Sequence, residues 1–177
     1  ARGLSNGVSL PETGSRHHHG DADGSAATFS PSATGAARLA ISYIVAQFST
    51  GSTEERRKAT SEARKLSKHS VFYRALFVEA NAVPWLLCLL SCMDASVQDN
   101  AVASLLNLSK HPGGRTALVE AGGIGLVVDI VNVGSKAETQ QNAVAILFYL
   151  SSNAEYAEEI GHDIVNVGSK AETQQNA

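Results

Sequence analysis

Aromatic residues are scarce in this sequence of 177 residues, because Phe, Trp and Tyr together make up only 6% of it. A core must therefore be built from Ala, Val, Leu and Ile, which favours closely packed helices over a strand-rich sandwich. Apolar residues account for 44% and charged residues for 18%, as in globular proteins, which excludes collagen-like and wholly disordered chains.

Long hydrophobic runs are missing as well. There is no uninterrupted apolar run of about 18 residues, and no basic segment followed by an apolar stretch opens the chain. We therefore predict neither a membrane span nor a signal peptide, and expect the protein in the cytoplasm, the nucleus or both. Residue 1 is Ala and Met93 is the only methionine, so we expect this to be a piece of a longer chain.

The sequence also has few groups that carry chemistry. Cys88 and Cys92 are the only cysteines, and no nearby Cys or His supplies the two further ligands that zinc would need. We predict that both are buried, reduced thiols and that the chain holds no metal and no cofactor. Nucleophile-elbow, phosphate-loop and zinc-protease motifs are absent, so the residues themselves indicate no catalytic site.

Two regions of different character follow each other at the N-terminus. Residues 1–33 are rich in Gly, Ser, Asp and Pro and have no helical or strand period, which predicts a disordered tail or linker. Apolar residues then recur at helical spacing, which predicts a leading helix over 36–48 and a folded region over 34–162.

A repeat of about 42 residues organises the folded region. Ala59, Ala101 and Ala143 are 42 apart, and Leu66-Ser67-Lys68-His69 returns intact as Leu108-Ser109-Lys110-His111. Each unit contains three helical patterns. A break at Asn81 or at Gly122-Gly123 precedes the second, 83–92 or 124–133, which is apolar nearly all round, and the third covers about 98–109 or 140–152. The period predicts an all-α solenoid of about three stacked units, with starts near 59, 101 and 143.

Two strings in these units resemble armadillo repeats: Asn100-Ala101-Val102-Ala103-Ser104-Leu105-Leu106-Asn107-Leu108-Ser109 and Val119-Glu120-Ala121-Gly122-Gly123-Ile124. With Lys110-His111-Pro112-Gly113-Gly114-Arg115 they resemble the armadillo region of plant U-box E3 ubiquitin ligases. The resemblance covers 34–162 and implies a superhelix of armadillo repeats with three helices each.

The same resemblance implies a function. In that family the armadillo array binds a substrate or regulator, and a U-box binds the ubiquitin-charged E2. This sequence contains no U-box, so it would be the recognition half of a ubiquitin-protein transferase. The alternative is an armadillo scaffold or adaptor with no connection to ubiquitin.

Armadillo arrays bind an extended protein segment along a groove lined by their third helices, which implies the partner-binding residues of this chain. They are Lys58, Lys65, Lys68, Asn100, Asn107, Lys110, Asn142 and Tyr149. Asn107 can hold the N–H and C=O groups of an extended backbone, or it can tie down a neighbouring turn. Ala103 and Ala145 stand where importin-like arrays carry Trp, which disfavours recognition of nuclear signals. The only tryptophan, Trp85, is predicted to pack in the core.

Basic residues cluster at one end of the predicted groove. Seven of the 14 Lys and Arg residues fall within 56–74. This run is either a solvated helix face or a docking site for an acidic or phosphorylated partner segment. Nucleic acid is a weaker option, because no aromatics are interleaved and the net charge is -3.

The last 15 residues, 163–177, duplicate 129–143 at every position. The copies are 34 apart instead of 42, so eight residues of a unit are missing between them. Such an identical copy indicates recent slippage or an artefact. We predict that this segment is misregistered or frayed against the array.

Overall fold

The structure, a computed structural model, describes residues 30–154, 156–158 and 160–162. These residues contain no strand; they form eight α-helices and one 3₁₀ turn, and residues of 154–162 are also helical where described. The helices are α1 (Pro31–Thr50), α2 (Thr53–His69), α3 (Val71–Glu79), α4 (Ala82–Cys88), α5 (Ala95–Ser109), α6 (Pro112–Glu120), α7 (Gly123–Val133) and α8 (Ala137–Ser151), with the 3₁₀ turn Leu89–Ser91 after α4. The predictions for residues 1–29 and for the duplicate 163–177 lie outside the described residues.

The leading helix α1 begins five residues before the predicted start at 36. Ser30 caps it, because its Oγ accepts the N–H of Ala33 at 3.3 Å, and Pro31 occupies the first helical position, where a missing N–H costs nothing. Residues 31–33 are thus helical, which corrects the predicted tail 1–33 at its end. Three apolar residues at helical spacing, Ile41, Val45 and Phe48, are buried.

The helices α2, α5 and α8 are the third helices of successive units. Ser52 and Glu55 cap α2 reciprocally, and Asp94 accepts the N–H of Val97 at 3.0 Å at the start of α5. The predicted third helices began at 98 and 140, whereas α5 and α8 begin at Ala95 and Ala137. At α5 the cap Asp94 accounts for about one added turn, whereas α8 starts equally early without a side-chain cap.

A left-handed residue separates the first and second helix of each unit. Asn81 (φ 56°) lies between α3 and α4, and Gly122 (φ 65°) lies between α6 and α7, at the break that the sequence predicts. Gly123 follows, and a Cβ there would lie 2.8 Å from the carbonyl oxygen of Leu118. The two first-to-second helix turns therefore share a left-handed residue at the same place in the unit.

Successive units stack helix on helix. The first helix α3 packs on α6, the second helices α1, α4 and α7 follow one another, and α2 packs along α5, which packs along α8. One continuous core of buried apolar residues runs through all of them. The described residues thus contain two complete three-helix units, α3–α5 and α6–α8, preceded by α1 and α2, and the predicted α-solenoid is confirmed.

Two burial predictions on the second helix were wrong. Cys88 is exposed and Cys92 is half-buried, although both are free thiols, and Trp85 is 42% exposed. The cause is that α4 ends at Cys88 and gives way to a 3₁₀ turn, so the predicted helix 83–92 is not continuous. The outer side of α4 is also not covered by the neighbouring units.

In the part of the chain that the structure describes, no single helix is long and apolar enough to cross a membrane. Two helix pairs reach that length and composition only together, across bends of 82° and 91°.

Candidate functional site

Asn107 lies at the joint between two third helices. Its Nδ2 donates to the carbonyl oxygen of Arg64 at 3.2 Å and to Oγ of Ser67 at 3.1 Å, both on α2. Its residue is only 6% exposed, and its Oδ1 lies 3.5 Å from Nζ of Lys110. The sequence left two roles open for Asn107, a contact with a partner backbone or a bond to a neighbouring turn. In the structure Asn107 instead bonds to the backbone and to a hydroxyl of the adjacent helix α2.

The side chain of Arg64 crosses the row of third helices. From α2, its Nη1 donates to Oδ1 of Asn100 on α5 at 3.4 Å, and its Nη2 donates to Oε1 of Glu138 on α8 at 3.1 Å. Packed helices lie about 8–10 Å apart, so α2 and α8 would be about 16–20 Å apart in a flat row. Arg64 and Glu138 nevertheless meet, from which we infer that the row curves toward them. We call this concave side, which carries Arg64, Asn100, Lys110 and Glu138, the third-helix face.

Two further ion pairs connect the third helices near their N-termini. Arg57 on α2 donates through Nε to Oδ2 of Asp94 at 2.9 Å. Hydrogen bonds from Arg57 and from the N–H of Val97 lower the pKa of Asp94 below its ordinary value. Asp94 thus holds two helices at once, as the cap of α5 and as the partner of α2.

Asp99 likewise connects two third helices, in this case α5 and α8. It accepts hydrogen bonds from Lys136, from Oγ of Ser135 and from Oγ1 of Thr139. Burial by itself would raise the pKa of Asp99, but the hydrogen bonds from these three donors and the charge of Lys136 lower it below the ordinary value. The carboxylate is therefore held ionised between α5 and α8, where its side chain is only 13% exposed.

The predicted lysines are exposed, and two of them are balanced by acids on their own helix. Nζ of Lys58 lies 3.4 Å from Glu54, and Nζ of Lys65 lies 3.6 Å from Glu62. The remaining two, Lys68 and Lys110, are exposed at the C-terminal ends of α2 and α5.

The 42-residue translation shows where these lysines face. Asn100 and Asn107 face α2, so the equivalent residues of α2, Lys58 and Lys65, face away from α5. Among the described residues no third helix lies on that side. Lys58 and Lys65 thus belong to the edge of the array, whereas Lys110 lies on the third-helix face.

The predicted residues of α8 are half-buried. Asn142 and Tyr149 occupy the positions of Asn100 and Asn107, which face the preceding third helix. The ring of Tyr149 contacts the ring of Phe148 edge to face, with centroids 6.0 Å apart. Of the eight predicted residues, Asn100 contacts the side chain of Arg64, Asn107 contacts its carbonyl oxygen, and Lys110 contacts Asn107. Lys58 and Lys65 lie at the edge, and Asn142 and Tyr149 lie where α8 meets α5.

Sequence reasoning missed Arg64 and Glu138. Arg64 was recognised only as one of a cluster of cations, and Glu138 was not singled out. A pairing between residues 74 apart has no signal in a single sequence. The 42-residue register could have flagged Arg64, since the equivalent residue one unit later is the apolar Leu106. No cluster of His, Cys, Asp and Glu suited to a metal ion occurs among the described residues.

Comparison with known proteins identifies the repeat and its relatives. Residues 73–110, from the first turn of α3 to the end of α5, match the Armadillo/beta-catenin-like repeat. U-box domain-containing protein 19 of Arabidopsis thaliana is 41% identical over 128 residues, which are 71% of this chain and 19% of that protein. U-box domain-containing protein 18 of the same plant is 40% identical over 129 residues, 73% of this chain and 18% of that protein. The chain thus spans less than a fifth of these relatives' length.

Designed repeat proteins are among the solved structures with the same fold. A computationally designed armadillo repeat protein for modular peptide recognition superimposes with a TM-score of 0.65 at 22% identity, over 70% of this chain and 52% of that chain. A designed armadillo repeat protein in complex with the peptide (KR)4 gives 0.65 at 21% identity, over 71% and 53%. These matches show the fold.

The repeat match, the superhelix and the plant relatives agree with one another. A three-helix array with this homology is a protein-interaction module. The chain belongs to the armadillo-repeat proteins, and it is related in its repeat region to the U-box proteins of plants.

Proposed function

We propose that the third-helix face binds an extended segment of a partner protein, one that carries acidic or phosphorylated residues. In the full-length protein, this binding would select a substrate or regulator for a U-box ubiquitin ligase. The observation that carries the proposal is the ion pair of Arg64 with Glu138 across α5, from which we infer a concave row with Arg64 and Asn100 on its inner side.

The charges of this face support the acidic character of the partner. Lys110 is exposed on α5 and Lys68 on α2, at the C-terminal ends of two adjacent third helices. Lysine near a helix C-terminus is a favourable position, so both cations can stay solvated and available. Two exposed cations on α2 and α5, the helices that carry Arg64 and its partner Asn100, favour a segment with carboxylates or phosphates.

The ubiquitin part of the proposal rests on homology alone. One relative, E3 ubiquitin-protein ligase SPL11 of Oryza sativa subsp. japonica, is 40% identical over 81 residues, 46% of this chain and 12% of that protein. No U-box is recognised in these 177 residues, so discharge of ubiquitin from a charged E2 should stay at background. Discharge well above background would contradict the division into a recognition part and a ligase part.

Binding is tested with a peptide array of acidic and phosphorylated segments. Lys110→Glu on the third-helix face should weaken retention about fivefold or more, since it replaces an attraction by a repulsion of similar size. The matched control is Arg38→Glu on α1, which makes the same change in charge at an exposed ion pair with Glu79. Equal losses in both variants would show that net charge, and not this face, controls binding.

A further inference from the structure

Arg64 and Glu138 form an ion pair that remains open to solvent. The side chain of Arg64 is 39% exposed and that of Glu138 is 69% exposed. Such pairs typically contribute about 0–1 kcal/mol, which corresponds to at most about a fivefold preference for the closed form. Glu138 is therefore held loosely enough to be displaced by a competing anion.

The guanidinium group of Arg64 has a second partner besides Glu138, and the backbone of Arg64 is bonded to α5. Asn100 accepts from Nη1 at 3.4 Å, and Asn107 donates to the carbonyl oxygen of Arg64 at 3.2 Å. Guanidinium has five N–H donors in a plane, and the bonds to Asn100 and Glu138 use two of them. A carboxylate or phosphate arriving from the concave side could bond to the planar fork without breaking the bond to Asn100.

The charges around this pair cancel while Glu138 is in place. Asp99 and Glu138 balance Arg64 and Lys136. Asp99 is half-buried and accepts from three side chains, so it stays in its joint. Asp99 raises the pKa of Lys136 by hydrogen bonding and charge; Glu138 adds to this and Arg64 opposes it, as expected of neighbours. Movement of Glu138 would leave two cations facing the concave side against one acid.

We infer that Arg64 is the anion-binding residue of the third-helix face, and that Glu138 is a built-in competitor that occupies it until a phosphorylated or acidic side chain of the partner takes its place. This inference rests on the proposed function and names its specificity-determining contact. The array thereby discriminates against segments without an anion, because these cannot displace Glu138.

A purely structural role for the pair makes opposite predictions. If Arg64 and Glu138 only strap α2 to α8, loss of Glu138 lowers the melting temperature and gives no gain in binding. If Glu138 is a competitor, its loss improves the binding of anionic peptides, and the melting temperature changes little, since the pair is exposed.

The test uses the 177-residue chain and a degenerate peptide library with one fixed phosphoserine, beside the same library with serine. Glu138→Gln should retain the phosphoserine library about two- to fivefold better than wild type, because binding no longer requires the ion pair with Arg64 to be broken. Arg64→Gln should retain it about tenfold or more weakly, down to the serine level. The matched control is Arg38→Gln, which removes one cation from α1 at an exposed ion pair with Glu79 and should stay within about twofold.

Each result decides between the ideas. No gain with Glu138→Gln, or no loss with Arg64→Gln, would overturn the inference. Equal retention of the serine and phosphoserine libraries by wild type would overturn it and leave the proposed protein-binding function in place. Retention of neither library by any variant would overturn both.

Discussion

Arg57 of α2 pairs with Asp94 at the start of α5, and 42 residues later the pair at the same two positions, Asp99 and Lys136, has its charges exchanged. The two joints between third helices are therefore complementary only in their native order. A unit stacked on the wrong neighbour would bring like charges together. The exchange helps to explain how units of similar sequence keep one order and register.

The exchanged pairs predict the effect of reversing one of them. Asp99→Lys places a second cation beside Lys136 and removes an acceptor from Ser135 and Thr139, so the free energy of unfolding should fall by about 2–4 kcal/mol. Adding Lys136→Asp should recover part of this loss by restoring an ion pair. Urea denaturation of the two single variants and the double variant measures the coupling. An additive double variant would show that the charges do not interact across this joint.

The bonds of Asn107 predict a structural role. Asn107→Ala removes the donor for the carbonyl oxygen of Arg64 and for the hydroxyl of Ser67, so unfolding free energy should fall by about 1–3 kcal/mol. The control is Lys65→Ala at the equivalent position of α2, where the side chain is exposed and the change should stay within about 0.5 kcal/mol. Undiminished stability of Asn107→Ala, together with loss of peptide binding, would make Asn107 a partner contact instead.

Two equivalent valines, on α5 and on α8 at the end of the described row of third helices, should contribute differently to stability. Val102 on α5 is 1% exposed, since α8 covers it, whereas the equivalent Val144 on α8 is 52% exposed. Val102→Ala should therefore cost about 2 kcal/mol, and Val144→Ala less than about 0.5 kcal/mol. Chemical denaturation of both variants gives the comparison. Similar costs would show that another segment covers α8 in solution.

The joint carboxylates predict a dependence of stability on pH. The pKa values of Asp94 and Asp99 are lowered by folding, so their contribution is complete above the unfolded value of about 3.9 and is lost as pH falls through the lower folded values. Unfolding free energy should therefore decline on acidification below about pH 4–5. Asp99→Asn should make the decline smaller, and Asp129→Asn at an exposed position of α7 should not. A pH profile identical to wild type for Asp99→Asn would contradict this account.

The repeat and its helices could be predicted from the sequence because they have local or periodic signals. The 42-residue period fixed the units, and Asn81 and Gly122 marked turns whose left-handed backbone is now seen. The starts of α5 and α8 were misplaced by about one turn, because weakly apolar residues precede the first apolar position of each helix. At α5 the cap Asp94 determines the start, whereas α8 has no side-chain cap.

Burial on the second helices could not be predicted from periodicity. An apolar residue occupies one outer position in three successive units, as Tyr43, Trp85 and Leu126, with exposed fractions of 68%, 42% and 38%. A helix that is apolar nearly all round looks fully buried in sequence, yet in a solenoid its outer side has no neighbour within the array. The core prediction for Trp85 failed for this reason.

The candidate site could be predicted only in part. Position on the third helix was readable, but residues facing the groove and residues facing the adjacent third helix are neighbours on the helical wheel. Asn107 falls on the second kind of position. Arg64 was identifiable as a site residue only from its contact with Glu138, which depends on the curvature of the whole row.

The central claim, that the third-helix face binds the partner segment, is tested most directly by mapping a bound peptide onto the protein. Amide chemical shifts would be recorded while the phosphoserine library, or its best-retained member, is added to the isotope-labelled chain. The account predicts shifts concentrated on α2, α5 and α8 around Arg64, Asn100 and Lys110. Shifts concentrated instead on the outer side of α4 and α7, around Trp85 and Leu126, would contradict it.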